Sequence, residues 1–322
     1  MKNFKKTTAL LSAMLILGTC ALTGCGEKDD GMLSVGIAQF GEHGSLDNCR
    51  EGFVEGLKQA GYIDGENIKI EYKNASFDPG NCTIIAQNFV SNDMDLICAV
   101  ATPIAQACYG AAYEKEIPVV FTACTDPDGA NLVGGEITGT SDVLPVKAQL
   151  ELIRELMPEA KKVGILYTTS EANSAYTIKM YEDFAPDYGF EIVSKGVTDA
   201  SEVSIAIESI MEEVDCFSNL TDNTVVGQLD VMLDKATAAG KPIFGSEIEQ
   251  VKKGCIAGEG LEYFDLGVQT GKIAARILSG EAASDIPFET VTENYLYVNA
   301  AKAEELGIEL TDAVKARAEY VG

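Results

Sequence analysis

Hydrophobic residues along this chain gather in short blocks, and between the blocks they recur at helical spacing. Residues 33–40 (LSVGIAQF), 96–101 (LICAVA) and 118–122 (PVVFT) are almost continuously apolar, while 68–72 (IKIEY) alternates. Three helices are predicted between these blocks. Residues 45–60 start at Ser45 and stop before Gly61; 79–92 place Ile84, Ile85, Phe89 and Val90 on one face; 102–115 begin with a capping Thr102 and a first-turn Pro103. Unbroken apolar strands alternating with amphipathic helices specify an α/β fold, a parallel sheet covered on both faces. The pattern then repeats, with strands predicted at 163–167, 191–195, 216–220 and 243–245 and helices at 143–157, 174–188, 201–213 and 224–239. Gly139-Thr140-Ser141-Asp142 is expected to open the helix at 143. Near the end the tandem order lapses: short strands at 255–257 and 296–298 flank a long helix at 263–278, and a last helix is expected at 300–306.

Residues 216–226 (CFSNLTDNTVV) read as a strand, a polar turn and a helix start, with Asp222 or Asn223 as the cap. Similar turns stand at 101–103 and 170–174. Open α/β sheets place ligands at the carboxyl ends of their strands, so the same turn in both repeats points to a cleft between two units.

The first residues are of another kind. Lys2, Lys5 and Lys6 precede an apolar run at 9–17 that is too short to span a bilayer, and Leu22-Thr23-Gly24-Cys25 follows. This is expected to be an export signal, residues 1–24, with a polar tether at 25–32. The chain has 24 Lys and Arg against 50 Asp and Glu, a formal charge of −26; loss of the signal leaves 21 against 50, or −29. So acidic a surface argues against nucleic acid as a partner. Setting aside Cys20 and Cys25, seven cysteines remain with no C-x-x-C pair; most sit in apolar runs as small core residues, and a Cys49–Cys82 bridge is an open alternative.

Catalytic signals are weak. His43 is the single histidine, and Cys49 six residues on lacks an oxyanion motif or third partner. One histidine and scattered cysteines make no metal-ligand set, and no phosphate-cradling glycine motif occurs, so neither metal nor cofactor is expected. The chain is expected to bind rather than to catalyse.

The segments IAQFGEHGSLD (37–47), ATPIAQA (101–107), PVVFTACTDPDGANLV (118–133), TGTSD (138–142), GILYTTSEANS (164–174), TDNTV (221–225) and GLEYFDLGVQTGKIAARILSGE (260–281) carry a resemblance. In this order the chain resembles the type I periplasmic-binding-protein fold, and within it the substrate-binding lipoproteins of ABC importers for aromatic amino acids. The resemblance covers nearly all of the chain after the signal. It implies two Rossmann-like lobes with parallel sheets hinged by three crossovers, lobe 1 at 33–142 plus 259–285 and lobe 2 at 143–258 plus 286–322. It also implies cleavage before Cys25 and lipid on its sulfur, at about 0.8 kcal/mol of anchoring per buried CH₂. The protein would then be extracytoplasmic, held to the cell membrane, with a permease and an ATPase as partner subunits.

A zwitterionic ligand needs helix N-termini for its carboxylate and acidic or carbonyl acceptors for its ammonium. Matched by motif, the first role falls to the turns at Thr102–Ala105 and Asn173–Ser174, and the second to Asp142, Glu171, Asp222 or Glu247. Ser141, Ser174, Thr221 and Asn223 would complete the shell, and Phe40, Glu42, His43 and Tyr167 would lie at the ligand. A sugar, nucleoside or branched-chain amino acid is the alternative ligand, and a surface receptor or adhesin the alternative role.

Overall fold

The computed structural model describes residues 31–321; the expected signal, Cys25 and most of the expected tether lie outside them. In the first half, strands β1 (Leu33–Gln39), β2 (Ile68–Asn74), β3 (Leu96–Val100), β4 (Val119–Thr122) and β5 (Ile137–Ser141) alternate with helices α1 (Gly44–Gln59), α2 (Pro79–Ser91) and α3 (Thr102–Ala112). With β11 (Glu289–Thr290) they form a six-stranded, wholly parallel sheet ordered β11-β5-β4-β3-β1-β2. Every residue of β3, β4 and β5 is buried, as expected for strands covered on both faces.

The second half repeats the plan with α4 (Val146–Leu156), β6 (Lys162–Thr168), α5 (Ala172–Phe184), β7 (Glu191–Val197), α6 (Val203–Ile210), β8 (Cys216–Ser218), α7 (Asn223–Val226), α8 (Leu229–Ala238), β9 (Ile243–Phe244) and α9 (Ile248–Lys253). Its parallel sheet runs β7-β6-β8-β9. A bridge from Gly245 to Gly258 carries it on to β10 (Ala257–Gly260), β12 (Tyr295–Val298) and β13 (Ala318–Tyr320). Helix α10 (Tyr263–Leu278) belongs to the first core; α11 (Ala300–Glu305) and α12 (Asp312–Arg317) follow β12. The chain therefore leaves the first sheet after β5, returns after β10 and leaves again after β11.

Three expectations are corrected and one open alternative is closed. Residues 139–141 lie in strand β5 and do not open a helix: Thr140 is buried and its hydroxyl meets those of Thr122 and Thr270, so the polar residues that resembled a cap are satisfied inside the sheet. The helix expected at 224–239 is broken into α7 and α8 at Gly227-Gln228. The helices α1 and α3 start at residues without side-chain caps, His43 and Ala101, so neither Ser45 nor Thr102 is the cap. Cys49 and Cys82 are both free and buried.

Helices α1 and α10 fix much of the first half. They run side by side in the same direction, Gly52 and Gly56 meeting Phe264 and Val268, and Gly267 and Gly271 meeting Cys49 and Phe53. A Cβ at Gly267 would stand 2.2 Å from the carbonyl oxygen of Cys49, so backbone touches backbone where any side chain would part the helices. Both N-termini consequently arrive at the same place.

Candidate functional site

That place is the carboxyl edge of the first sheet. Four residues other than glycine near it hold left-handed backbones: Ser76 and Phe77 after β2, Ala101 after β3 and Ala123 after β4, with φ of 54°, 61°, 88° and 55°. Each such residue costs about 1 kcal/mol or more, and strain of this kind gathers at functional sites. The turns they form bring His43, Ser45 and Leu46 of the α1 start together with Ala123, Asp142 and Tyr263. From the second half come Thr221, Asn223, Val226 and Gln250. These residues enclose a cavity of about 10 Å³, about the room one water needs.

Asp142 is 3% exposed. Thr125 Oγ1 donates to one of its oxygens (2.9 Å) and the Tyr263 hydroxyl to the other (2.8 Å). Burial pushes its carboxyl up to about 6, against the pull of those two donors. Two uncapped helix starts, α1 at His43 and α10 at Glu262, converge here. Each brings free N–H groups and roughly half a positive charge.

His43 joins the halves. Its Nε2 lies 3.4 Å from Asn223 Oδ1. The Asn223 amide nitrogen donates to Glu171 Oε2 at 2.7 Å, which turns the amide oxygen toward the histidine. Nε2 therefore carries the proton and Nδ1 is a bare acceptor. Nδ1 is shielded and has no partner among the described residues. Burial pushes the imidazole down to about 4, so the ring is neutral at pH 7. Asn48 to Glu249 (3.4 Å) and Ser45 to Glu247 are further bonds between the halves.

Asp222 and Glu171 are satisfied within the second half, and Glu247 within it apart from its bond from Ser45. Asp222, fully buried, accepts from Thr168 N (2.5 Å), Thr168 Oγ1 (2.8 Å), Ser174 Oγ (2.6 Å) and Val225 N (2.8 Å). Glu171 accepts from the backbone and side chains of Asn223 and Thr224, and from Asn173 at 3.3 Å. Burial raises both carboxyls, and the Asp222 charge raises Glu171 further. Glu247 caps α9 through the N–H groups of Glu249 (2.6 Å) and Gln250 (2.9 Å), and burial lifts it to about 7. None of these four acids is in an ion pair among the described residues.

Of the residues singled out in the sequence, His43, Asp142, Thr221 and Asn223 line the cavity. Phe40 and Glu171 line a larger cleft beside it. Asn173 and Ser174 stand behind, bonded to Glu171 and Asp222. Thr102 and Ala105 are buried in the first turn of α3, Ser141 donates to Thr125 O, Tyr167 packs over Gly196, and Glu42 is exposed. Ser45, Gln250 and Tyr263 were missed. Tyr263 and Gln250 lie far along the chain from the turns they join, and no motif marks them.

A family model described as ABC transporter substrate binding protein matches residues 34–321. The chain is similar to the tyrosine-binding protein of Clostridioides difficile (strain R20291), 37% identical over 329 residues that span 96% of this chain and 95% of that one. It is also similar to the crystal structure of an ABC domain from Streptococcus pneumonia in complex with L-Trp, at 32% identity and a TM-score of 0.87 over 90% of this chain and all of that one. Against the ligand-free, open structure of a substrate-binding protein with adhesive properties from Clostridium difficile, identity is 37% and the TM-score 0.67, again over 90% of this chain and all of that one.

Proposed function

The chain belongs to the ABC transporter substrate-binding proteins, which act outside the cytoplasm, and from that membership we propose that it captures a free aromatic amino acid by closure of two lobes and delivers it to a permease and ATPase. The observation that carries closure is a contrast between neighbours. The described chain fits the L-Trp complex at 0.87 but the ligand-free open structure at 0.67, although the latter is the more identical in sequence. That contrast supports a closed arrangement here, as do the bonds His43 makes to Asn223 and Ser45 to Glu247. Closure follows from whatever extra affinity the ligand has for the closed form.

The lobes are taken as 33–142 with 261–291 and 143–260 with 292–321. The boundary expected at 259 moves to 261 because Glu259 and Gly260 pair with Leu296 and Tyr295, and the last moves beyond the expected 285 because Glu289–Thr290 pairs with Thr140–Ser141. Lipid on Cys25 would hold the mature protein to the membrane, as the Leu22–Cys25 motif implies.

The ammonium is assigned to Asp142, whose cavity, with room for about one water, must widen as the ligand enters. Asp222 and Glu171 have their oxygens occupied by donors of their own lobe, whereas Asp142 faces the cavity with two neutral donors and spare lone pairs. His43 Nδ1 is a second acceptor. The carboxylate falls to the free N–H groups where α1 and α10 begin. Titration calorimetry with the twenty amino acids, sugars and nucleosides tests this. Tyrosine, tryptophan or phenylalanine is expected to bind, and Asp142→Asn to weaken that binding at least tenfold, about 1.4 kcal/mol. Binding of sugars or nucleosides alone would sink the ligand assignment.

A second role, surface adhesion, is favoured by the adhesive properties of the Clostridium difficile neighbour; attachment of cells lacking the gene to host surfaces decides it.

A further inference from the structure

The cavity at Asp142 has no room for a side chain, but across Asn223 and Thr224 a cleft of about 530 Å³ opens between the same two halves. We infer that this cleft receives the side chain of the ligand and that Phe77 is the residue that selects an aromatic one. The inference rests on the ligand being an amino acid whose charged groups sit at Asp142.

The two walls of the cleft differ in chemistry. One, from the first half, carries the apolar Phe40, Phe77, Pro79 and Pro103, with Ser76, Asp78 and Gln106 at their side. The other, from the second half, is polar, with the hydroxyls of Thr168, Ser170, Thr198 and Ser201 and the carboxylates of Glu171 and Asp199. A slot with an apolar face and a polar face suits a flat ring with a polar edge.

Phe77 is placed for this by its backbone. It and Ser76 are left-handed, and three bonds hold the loop there: Phe77 N to Phe40 O (2.8 Å), Ser76 N to Asn74 Oδ1 (2.8 Å) and Asn81 Nδ2 to Ala75 O (3.1 Å). The ring packs against the edge of the first core yet stays partly exposed, on the side that lines the cleft. The ring stands edge-on to Phe40 (5.7 Å, 87°) and parallel to His43 (6.3 Å, 3°). Glycine backbones pack against it from both halves. A Cβ would lie 2.0 Å from the ring at Gly41 in the first half, and 3.3 Å from it at Gly227 in the second. The ring therefore meets the second half directly, lining the cleft and lying parallel to His43, which lines the cavity.

Calorimetric titration of the purified full chain with tyrosine, phenylalanine and leucine tests the inference, using wild type, Phe77→Ala and Phe77→Leu. Loss of a ring contact predicts that Phe77→Ala weakens tyrosine and phenylalanine about tenfold and leucine by less than about threefold. Phe77→Leu keeps the bulk and is expected to lower the aromatic-to-leucine ratio by a smaller factor; it decides the matter alone if the alanine variant fails to fold. An unchanged ratio in a protein that still binds tyrosine overturns this inference and leaves the proposed function standing. A wild type that binds no amino acid overturns both.

Discussion

In the first half, α1 and α10 meet through glycine; in the second, β6, α5 and α7 meet through a carboxylate. Gly52, Gly56, Gly267 and Gly271 let two backbones touch, so the helix pair is held by shape alone. Asp222 does the corresponding task with four hydrogen bonds to three elements. The steric joint has no proton to gain or lose, whereas the polar joint carries a buried charge with no cation beside it. The two halves should therefore differ in what breaks them and in how they answer pH.

Asp222→Ala is expected to have the largest effect. It leaves four buried donors without an acceptor, and a loss of about 4 kcal/mol should appear as a lower urea midpoint. Gly267→Val comes next, at about 3 kcal/mol, because its side chain must push the Cys49 carbonyl aside. If the valine variant proved the more damaging, the polar joint would not be what holds the second half.

The pH response is smaller. Glu247 titrates near 7 in the folded chain and near 4.5 as an ordinary carboxyl. Between those values the folded form holds a proton that the unfolded chain has released, so stability rises as pH falls toward 4.5 and is lost as pH climbs through 7. Asp142 acts in the same sense between 6 and 3.8. His43 acts oppositely: at about 4 against 6.5, it lets the unfolded chain take up its proton first. From pH 8 to 6 these three groups give a net gain of about 1 kcal/mol, and Glu171, raised to about 7 by burial and the Asp222 charge, adds to it in the same sense, read as a rising melting temperature. Glu247→Gln should make that rise shallower.

How much could be read from the sequence follows the same division. Strands β1, β3 and β4 announce themselves as apolar runs because both faces are buried. Strand β5 does not: its Thr140 is satisfied by Thr122 of the neighbouring strand and by Thr270 on a helix more than a hundred residues away. Asp222 was visible as a cap but not as a hub, since its other partners, Thr168 and Ser174, lie about fifty residues upstream. Asp142 stood out, while the reason it differs from the other acids, a place in the cavity wall, exists only in three dimensions. Phe77 gave no signal, because a left-handed phenylalanine looks like any other in the sequence.

The free cysteines offer a built-in meter. All seven among the described residues are buried, Cys49, Cys82, Cys98, Cys108 and Cys124 in the core of the first half and Cys216 and Cys255 in the second. A thiol reagent added to the native protein reaches a given sulfur only during an opening event. Counting labelled sulfurs over time by mass therefore reports which half breathes first, with no dye or engineered residue needed.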